Sequence, residues 1–289
     1  MLNRIKHAIR WRLTHFWYTH MLRRVRPFQV AWFGFITAHR RVRRGRKHAL
    51  PGMFIVSLTS FPPRFATLPL TLKCLLNQSV RPDKIVLWVA EHEMALVTPE
   101  LRDMEDIDIR PCVDSGPYNK IIPALEQFPD AFIVTGDDDI YYKRRWLEIL
   151  LDAWDGDLKT IVGHRVHRIR LDDKGLPLPY TQWRPATPGA DSPLHFATGV
   201  GGVLYPPRVL DERVLNRDDF MSLCAKADDI WLFWMARLNG ARIIKAMSNI
   251  NDFVNWRGSQ KVALYRQNVF QSKNDEKIKL MIDAYGWPV

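Results

Sequence analysis

Residues 131–142 read AFIVTGDDDIYY. Phe132, Ile133, Val134 and Thr135 form a short apolar and β-branched run that stops at Gly136, the pattern of a buried strand. Asp137, Asp138 and Asp139 follow where that strand leaves its sheet. In an open α/β sheet, ligands bind in the crevice beyond the carboxyl ends of the strands. Three adjacent carboxylates repel one another unless cations or hydrogen bonds compensate them. Hard divalent cations take oxygen ligands, and Mg²⁺ sites combine one or two carboxylates with substrate phosphates. The stretch therefore reads as a site for a cation and a diphosphate. An acidic turn after a strand is the bland alternative. An EF-hand loop is excluded, because the sixth-position Gly and the late Glu are missing. No GxxxxGK[ST] occurs, so these aspartates do not close a Walker-B strand.

Outward from this stretch the pattern alternates. Strands are predicted over Met53–Leu58, Lys84–Ala90, Ile107–Arg110, Ala131–Thr135, Thr160–His164 and Ala241–Ala246. Helices are predicted over Leu68–Gln78, Asn119–Phe128, Lys143–Trp154, Asp228–Asn239 and Asp275–Tyr285. Gly240 is expected as a left-handed C-cap, and Asn274 as an N-cap. Strands alternating with helices predict an α/β fold with a mostly parallel central sheet covered by helices. Residues 172–193 hold five prolines and read as a loop. The body, 49–289, is read as one domain whose composition changes at about 172.

The net charge of +11 is uneven. Residues 1–48 contain 13 Lys or Arg and no Asp or Glu, which leaves 29 basic against 31 acidic residues in 49–289. The basic character thus belongs to an N-terminal arm. In it, Leu2, Ile5, Ile9, Leu13 and Phe16 recur at steps of three and four, a basic amphipathic helix pattern. Trp11, Trp17, Trp32 and Phe33 add amphipathic aromatics, and Arg40–Lys47 reads RRVRRGRK. This arm is expected to lie on an anionic membrane surface. No run approaches the ~20 apolar residues of a membrane span, and no signal-peptide pattern is seen. A cytoplasmic protein, peripheral on the inner face of the inner membrane, is the expectation. Cys74, Cys112 and Cys224 have no metal-ligand spacing and read as buried thiols in a reducing compartment.

Three further segments carry chemistry. Ser57–Arg64 (SLTSFPPR) follows the first strand and faces the same crevice. Thr59 and Ser60 offer hydroxyls there, and Arg64 a fork for phosphate or a base carbonyl. An ordinary turn with a surface Arg fits this segment equally well. Gly116–Lys120 (GPYNK) lies at a loop-to-helix junction, where a helix N-terminus attracts phosphate and Lys120 adds charge. A solvated lysine is its alternative. Ala227–Ile230 (ADDI) opens an apolar helix. Asp228 and Asp229 complement its dipole, and a partly buried carboxylate there is a plausible general base. Gly199, Gly201 and Gly202 would let a substrate approach the backbone closely, or mark a bulge.

Taken in order, SLTSFPPR, NQSVRPDKIVLWVA, GDDD, GGVLYPP and ADDIWLFWMARLNGARI resemble a GT-A fold glycosyltransferase of the bacterial family-2-like kind, over about Met53–Leu280. The resemblance implies a nucleotide-diphosphate sugar donor, a Mn²⁺ or Mg²⁺ ion, and a glycan or lipid-linked acceptor in surface polysaccharide synthesis. It implies Asp137 and Asp139 as a DxD pair on ribose and metal, with Asp138 beside them. Asp229 would be the base of an inverting transfer, with Asp228 its neighbour. Thr59, Arg64 and Lys120 would lie on the donor side, in a donor half over 49–171, and Gly201 and Gly202 on the acceptor side, in an acceptor half over 172–289. Family members often add a C-terminal His ligand, but the last histidine here is His195. Asp252 or Asn255 are the candidates to replace it. The rival readings are a sugar-phosphate nucleotidyltransferase and an Arg-rich nucleic-acid-binding protein. The second leaves the acidic crevice unexplained, so no nucleic-acid partner is expected.

Overall fold

The computed structural model describes residues 31–39, 41–247, 253–256 and 273–289. Seven strands form its central sheet: β1 (Phe54–Thr59), β2 (Lys84–Ala90), β3 (Asp108–Cys112), β4 (Phe132–Gly136), β5 (Thr160–Gly163), β6 (Val203–Tyr205) and β7 (Arg242–Lys245). Their spatial order is β7-β5-β6-β4-β1-β2-β3. All neighbouring pairs are parallel except those made by β6, which runs antiparallel to both β4 and β5. The α/β class and the mostly parallel sheet read from the sequence are the architecture observed.

Both faces of the sheet are covered, so its strands are near-continuous apolar runs. Along β1, Phe54, Val56 and Leu58 face one core layer while Ile55 faces the other, the two-residue period of a strand. The first layer is closed by α1 (Leu68–Leu76) and α3 (Trp146–Ala153), through Leu72, Leu75, Trp146 and Leu147. The second is closed by α5 (Asp228–Leu238) and α6 (Lys273–Tyr285), through Trp231, Trp234, Ile278 and Met281. Gly240 ends α5 at φ +71°, as expected of a left-handed cap.

Several elements depart from the sequence reading. The helix predicted over Asn119–Phe128 is a 3₁₀ turn, Gly116–Lys120, followed by α2 (Ile122–Gln127). Pro123 is the reason: it lacks an N–H and fits only the first helical turn, so the helix restarts just before it. Asn274 is not an N-cap, since α6 already begins at Lys273. The proline-rich stretch carries a 3₁₀ turn at Tyr180–Gln182 and a short strand at Arg184–Pro185. That strand joins Val166–Arg168 and His195–Ala197 in a small antiparallel sheet. Helix α4 (Arg217–Leu223) and strand β6 carry too few residues to show a period. Because β6 lies between β4 and β5, the expected donor and acceptor halves share one sheet.

The end of the basic arm is tied to the body. Arg46–Lys47 pairs in parallel with Val80–Arg81, and the His48 Nε2 lies 2.8 Å from the Asp83 carboxylate. Residues 31–39 are helical. Phe33 stacks on Tyr141 at 4.4 Å, while Trp32 and Phe35 remain about 60% exposed, at 61% and 60%. The amphipathic segment Leu2–Phe16 lies outside the described residues. Among those residues no helix is long and apolar enough to cross a membrane. The three cysteines are buried and unbonded to one another, as expected.

Candidate active site

The carboxyl ends of β1, β4 and β5 open onto a cavity of about 760 Å³. Pro62 and Pro63 fold the chain after β1 into a 3₁₀ turn, Pro62–Arg64, that turns Arg64 back over the end of β4. The Arg64 guanidinium donates to Asp138 and lies 3.4 Å from the Asp139 carboxylate. Ser60 Oγ donates to the other Asp138 oxygen at 2.6 Å. Burial opposes the Arg64 charge, but Asp138 and Asp139 outweigh it and hold the guanidinium above its ordinary range. Asp138 therefore acts first as a clamp on the β1 loop, with both oxygens engaged. Thr59 lines the cavity, but its hydroxyl donates to the Trp88 carbonyl at 2.9 Å.

Asp137 sits on the other side of the triplet. Its backbone N–H donates to Tyr142 Oη at 2.7 Å, and its side chain faces Lys120 at 3.9 Å. Burial pushes its carboxyl up to about 6, with Asp139 and Asp138 adding to the rise and Lys120 opposing it. Lys120 is not a solvated lysine. It is 9% exposed and lies 2.9 Å from Asp228, so it bridges β4 to α5. Burial works against its charge, yet Asp228, Asp137 and Asp229 together raise it above the usual lysine range.

Asp228 and Asp229 occupy the first turn of α5, behind Ala227, which makes no side-chain cap. Their fates differ. Asp228 is buried on Lys120. Asp229 lies half-buried at the cavity wall, and one of its oxygens accepts the Gly199 N–H at 2.7 Å. Burial raises its carboxyl to about 7, and Asp228 adds to the rise while Lys120 opposes it. A carboxyl that titrates near neutrality is suited to taking a proton at working pH.

The glycines after the small sheet divide by role. At Gly199 a Cβ would stand 2.6 Å from Lys120 Nζ and 3.2 Å from Asp229 Oδ1. Gly201 and Gly202 do not face the cavity as the acceptor-side expectation had it. A Cβ on Gly201 would meet the Phe253 ring at 2.7 Å. One on Gly202 would meet Trp146 at 2.5 Å and the Thr135 carbonyl at 3.0 Å. Gly202 also holds φ +100°. They let the chain turn tightly into β6 against Trp146, whose Nε1 donates to the Gly201 carbonyl at 2.5 Å. Gly202→Ala is expected to cost ~1–3 kcal/mol through overpacking and strained backbone. Gly199→Ala, whose closest clash is with a flexible ammonium, should displace Lys120 and disturb the Gly199–Asp229 hydrogen bond, with a smaller loss of stability. Urea denaturation of both variants separates the two roles.

The cavity thus gathers Thr59, Arg64, Lys120, the three aspartates of the triplet, Asp228 and Asp229. Sequence reasoning missed Asp114, Arg165, Tyr180 and Asn274, which also line it. Arg165 was within reach, because it follows the carboxyl end of a predicted strand. Tyr180 was not, because the proline-rich loop shows no period. Asn255 reaches the cavity because Val254–Asn255 pairs antiparallel with Ile140–Tyr141. Asp252 lies outside the described residues.

The acids offer hard oxygen donors. Among the described residues, no three His, Cys, Asp or Glu side chains form a ready cation cage. Asp138 is spent on Ser60 and Arg64, while Asp139 also faces Arg64 at 3.4 Å and Asp137 faces Lys120 at 3.9 Å, so a bound cation would share these two carboxylates with them. This donor set fits a Mg²⁺ or Mn²⁺ that takes one or two carboxylates and completes its shell with substrate phosphates. It does not fit a cation held by protein ligands alone.

No protein-family model matches the chain, and no curated protein matches it. Among solved structures it is similar to a 4-diphosphocytidyl-2C-methyl-D-erythritol synthase at 9% identity, over 75% of this chain and 99% of that one, with a TM-score of 0.45. It is similar to the 2-C-methyl-D-erythritol 4-phosphate cytidylyltransferase of Francisella tularensis at 11% identity, over 78% and 100%, with a TM-score of 0.43. GalNAc-T7, solved with UDP, GalNAc and Mn²⁺, is 12% identical over 78% of this chain and 51% of that one, with a TM-score of 0.43. Identities and scores this low leave the function to be read from the site itself.

Proposed function

We propose that the chain is a glycosyltransferase that moves a sugar from a nucleotide-diphosphate donor to a glycan or lipid-linked acceptor with inversion, in the synthesis of a surface polysaccharide. The observation that carries this reading is Lys120, buried between Asp137 of the triplet and Asp228 beside the candidate base. It couples a phosphate-facing wall to a proton-accepting one across one cavity. Asp137 and Asp139 would hold the divalent cation, which supplies charge neutralisation to a leaving diphosphate when bound. Lys120 adds a fixed positive charge in a water-poor site, where such charge stabilises developing negative charge most. Asp229 takes the proton of the acceptor hydroxyl as that oxygen forms its bond to the anomeric carbon. The Gly199 N–H holds the Asp229 carboxylate in one orientation for that step. Arg64 shapes the β1 loop over the donor side through Asp138 and Asp139.

The test is a donor screen. UDP-, GDP-, CMP- and dTDP-sugars are supplied with and without Mn²⁺, and binding is read by thermal shift and nucleotide release by coupled assay. One donor should raise the melting temperature and release its nucleotide. Release of pyrophosphate from a nucleoside triphosphate and a sugar phosphate, with no donor bound, would assign the chain to nucleotidyl transfer instead.

The exposed Trp32 and Phe35, next to the basic Arg41–Lys47 run, support placement on an anionic membrane, where a lipid-linked acceptor lies. Each Lys or Arg near such a surface contributes ~1 kcal/mol. Full-length protein should float with anionic vesicles, and a Trp32→Ser, Phe35→Ser double variant should float less and release more fully in high salt. Equal flotation of the two proteins, or preference for RNA at physiological salt, would remove the membrane placement.

A further inference from the structure

The cations around the cavity are not equivalent. Arg64 and Lys120 are each held by two carboxylates. Arg165 also lines the cavity, half-buried, and among the described residues no carboxylate lies within ion-pair distance of it. Among the described residues its side chain makes one hydrogen bond, a long one from Nη1 to Thr198 Oγ1 at 3.4 Å. A guanidinium partly withdrawn from water without a counter-ion is unfavourable until an anion arrives. Its planar fork matches phosphate and carboxylate oxygens.

The backbone around Arg165 is fixed. It follows the carboxyl end of β5, where the His164 N–H donates to the Gly202 carbonyl at 3.1 Å. Its own carbonyl accepts the Thr198 N–H at 3.0 Å. The next residue, Gly199, donates to Asp229 at 2.7 Å. Arg165 is thus tied, through Thr198 and Gly199, to the strand segment that orients the candidate base. It lies on the base side of the cavity, apart from the Arg64–Asp138 clamp.

His167, two residues on, has no hydrogen-bond partner for either buried ring nitrogen among the described residues. Burial, then Arg165 and Lys245, push its imidazole down to about 4, so near pH 7 it is neutral and adds no positive charge beside Arg165. The Tyr180 ring also lines the cavity, braced by Trp183 at 4.8 Å and Phe196 at 6.0 Å. A rigid aromatic ring offers an apolar face to a sugar ring.

We infer that Arg165 anchors an anion-binding subsite for the acceptor: the acceptor carries a phosphate or a carboxylate close to the hydroxyl that receives the sugar. Tyr180 supports the ring of that acceptor. The assignment of this ligand as an acceptor rests on the glycosyltransferase reading above; the charged subsite itself does not.

The experiment measures binding without donor. A hexose 1-phosphate, a methyl hexuronide and a neutral methyl hexoside are titrated calorimetrically into the full chain and into Arg165→Gln and Arg165→Lys, each checked by circular dichroism and thermal melt. The neutral glycoside should bind weakest. One charged probe should bind more tightly, identifying phosphate or carboxylate as the preferred group. That preference should fall by about 10- to 100-fold in Arg165→Gln, the range of one charged hydrogen-bonded contact, and be partly kept in Arg165→Lys. No preference for either charged probe, or a preference that survives Arg165→Gln, would overturn the subsite. A chain that turns over no nucleotide sugar but loses the charged probe in Arg165→Gln would sink the transferase reading and keep the subsite. If transfer is found, the acceptor KM should rise in Arg165→Gln while the donor dissociation constant stays unchanged.

Discussion

Asp229→Asn is expected to lower turnover by about 10²–10⁴-fold, the usual range for loss of a general base. Donor affinity should be kept, because Asp229 contacts the Gly199 N–H and the charges of Asp228 and Lys120. The pH profile carries the sharper information. Asp229 takes a proton only when ionised, and burial lifts its carboxyl to about 7. The rate should therefore climb about tenfold per unit below pH 7 and level off above it. Asp228 is the neighbouring charge that adds to the rise. Asp228→Asn should consequently move the rising limb to lower pH, not abolish it. Steady-state kinetics across pH 5–9 on the three proteins reads both effects. A dead Asp228→Asn beside an active Asp229→Asn would exchange their roles, and activity in both variants would rule out base catalysis by this pair.

Lys120→Met should be the most destabilising of the substitutions considered. It removes the cation that lies 2.9 Å from Asp228 and 3.9 Å from Asp137 and leaves buried carboxylates uncompensated. Removing one partner of a buried ion pair costs about 3–5 kcal/mol, a fall in Tm of roughly 10 °C for a chain of this size. The sign of the pH dependence follows from the direction of the shifts. Lys120 opposes the upward push on Asp137 and Asp229. Without it, both rise further above their unfolded values. A carboxyl raised in the folded state binds more protons there than in the unfolded chain. Stability then falls as pH rises from the unfolded value through the folded one, and returns on acidification. The deficit should be larger at pH 8 than at pH 5. Urea denaturation at both values measures it, and an equal deficit at each would show that Lys120 matters only through packing.

Much of this arrangement was legible from residue order. Strand β4 and its three acids were readable because an apolar run ending in Gly and Asp has one economical solution, a buried strand opening at a crevice. The acidic pair of α5 was readable because carboxylates favour a helix N-terminus. What the acids and glycines do was not readable, because it depends on neighbours far away in the chain. Asp138 clamps Arg64, 74 residues away. Gly201 and Gly202 serve ring packing against Phe253 and Trp146.

Residue order alone specifies the class of the fold, the strand that carries the acids, and the uneven charge of the arm. Each is a local property: a period, a run ended by Gly, a count of charges. Long-range packing sets the rest: Lys120 is buried between two walls, β6 enters the sheet antiparallel, and Arg165 lines the cavity with no carboxylate paired to it among the described residues. Those are contacts between segments tens of residues apart. They arise when the sheet closes its two core layers, because burial forces each charge toward whichever partner the fold brings within hydrogen-bond reach.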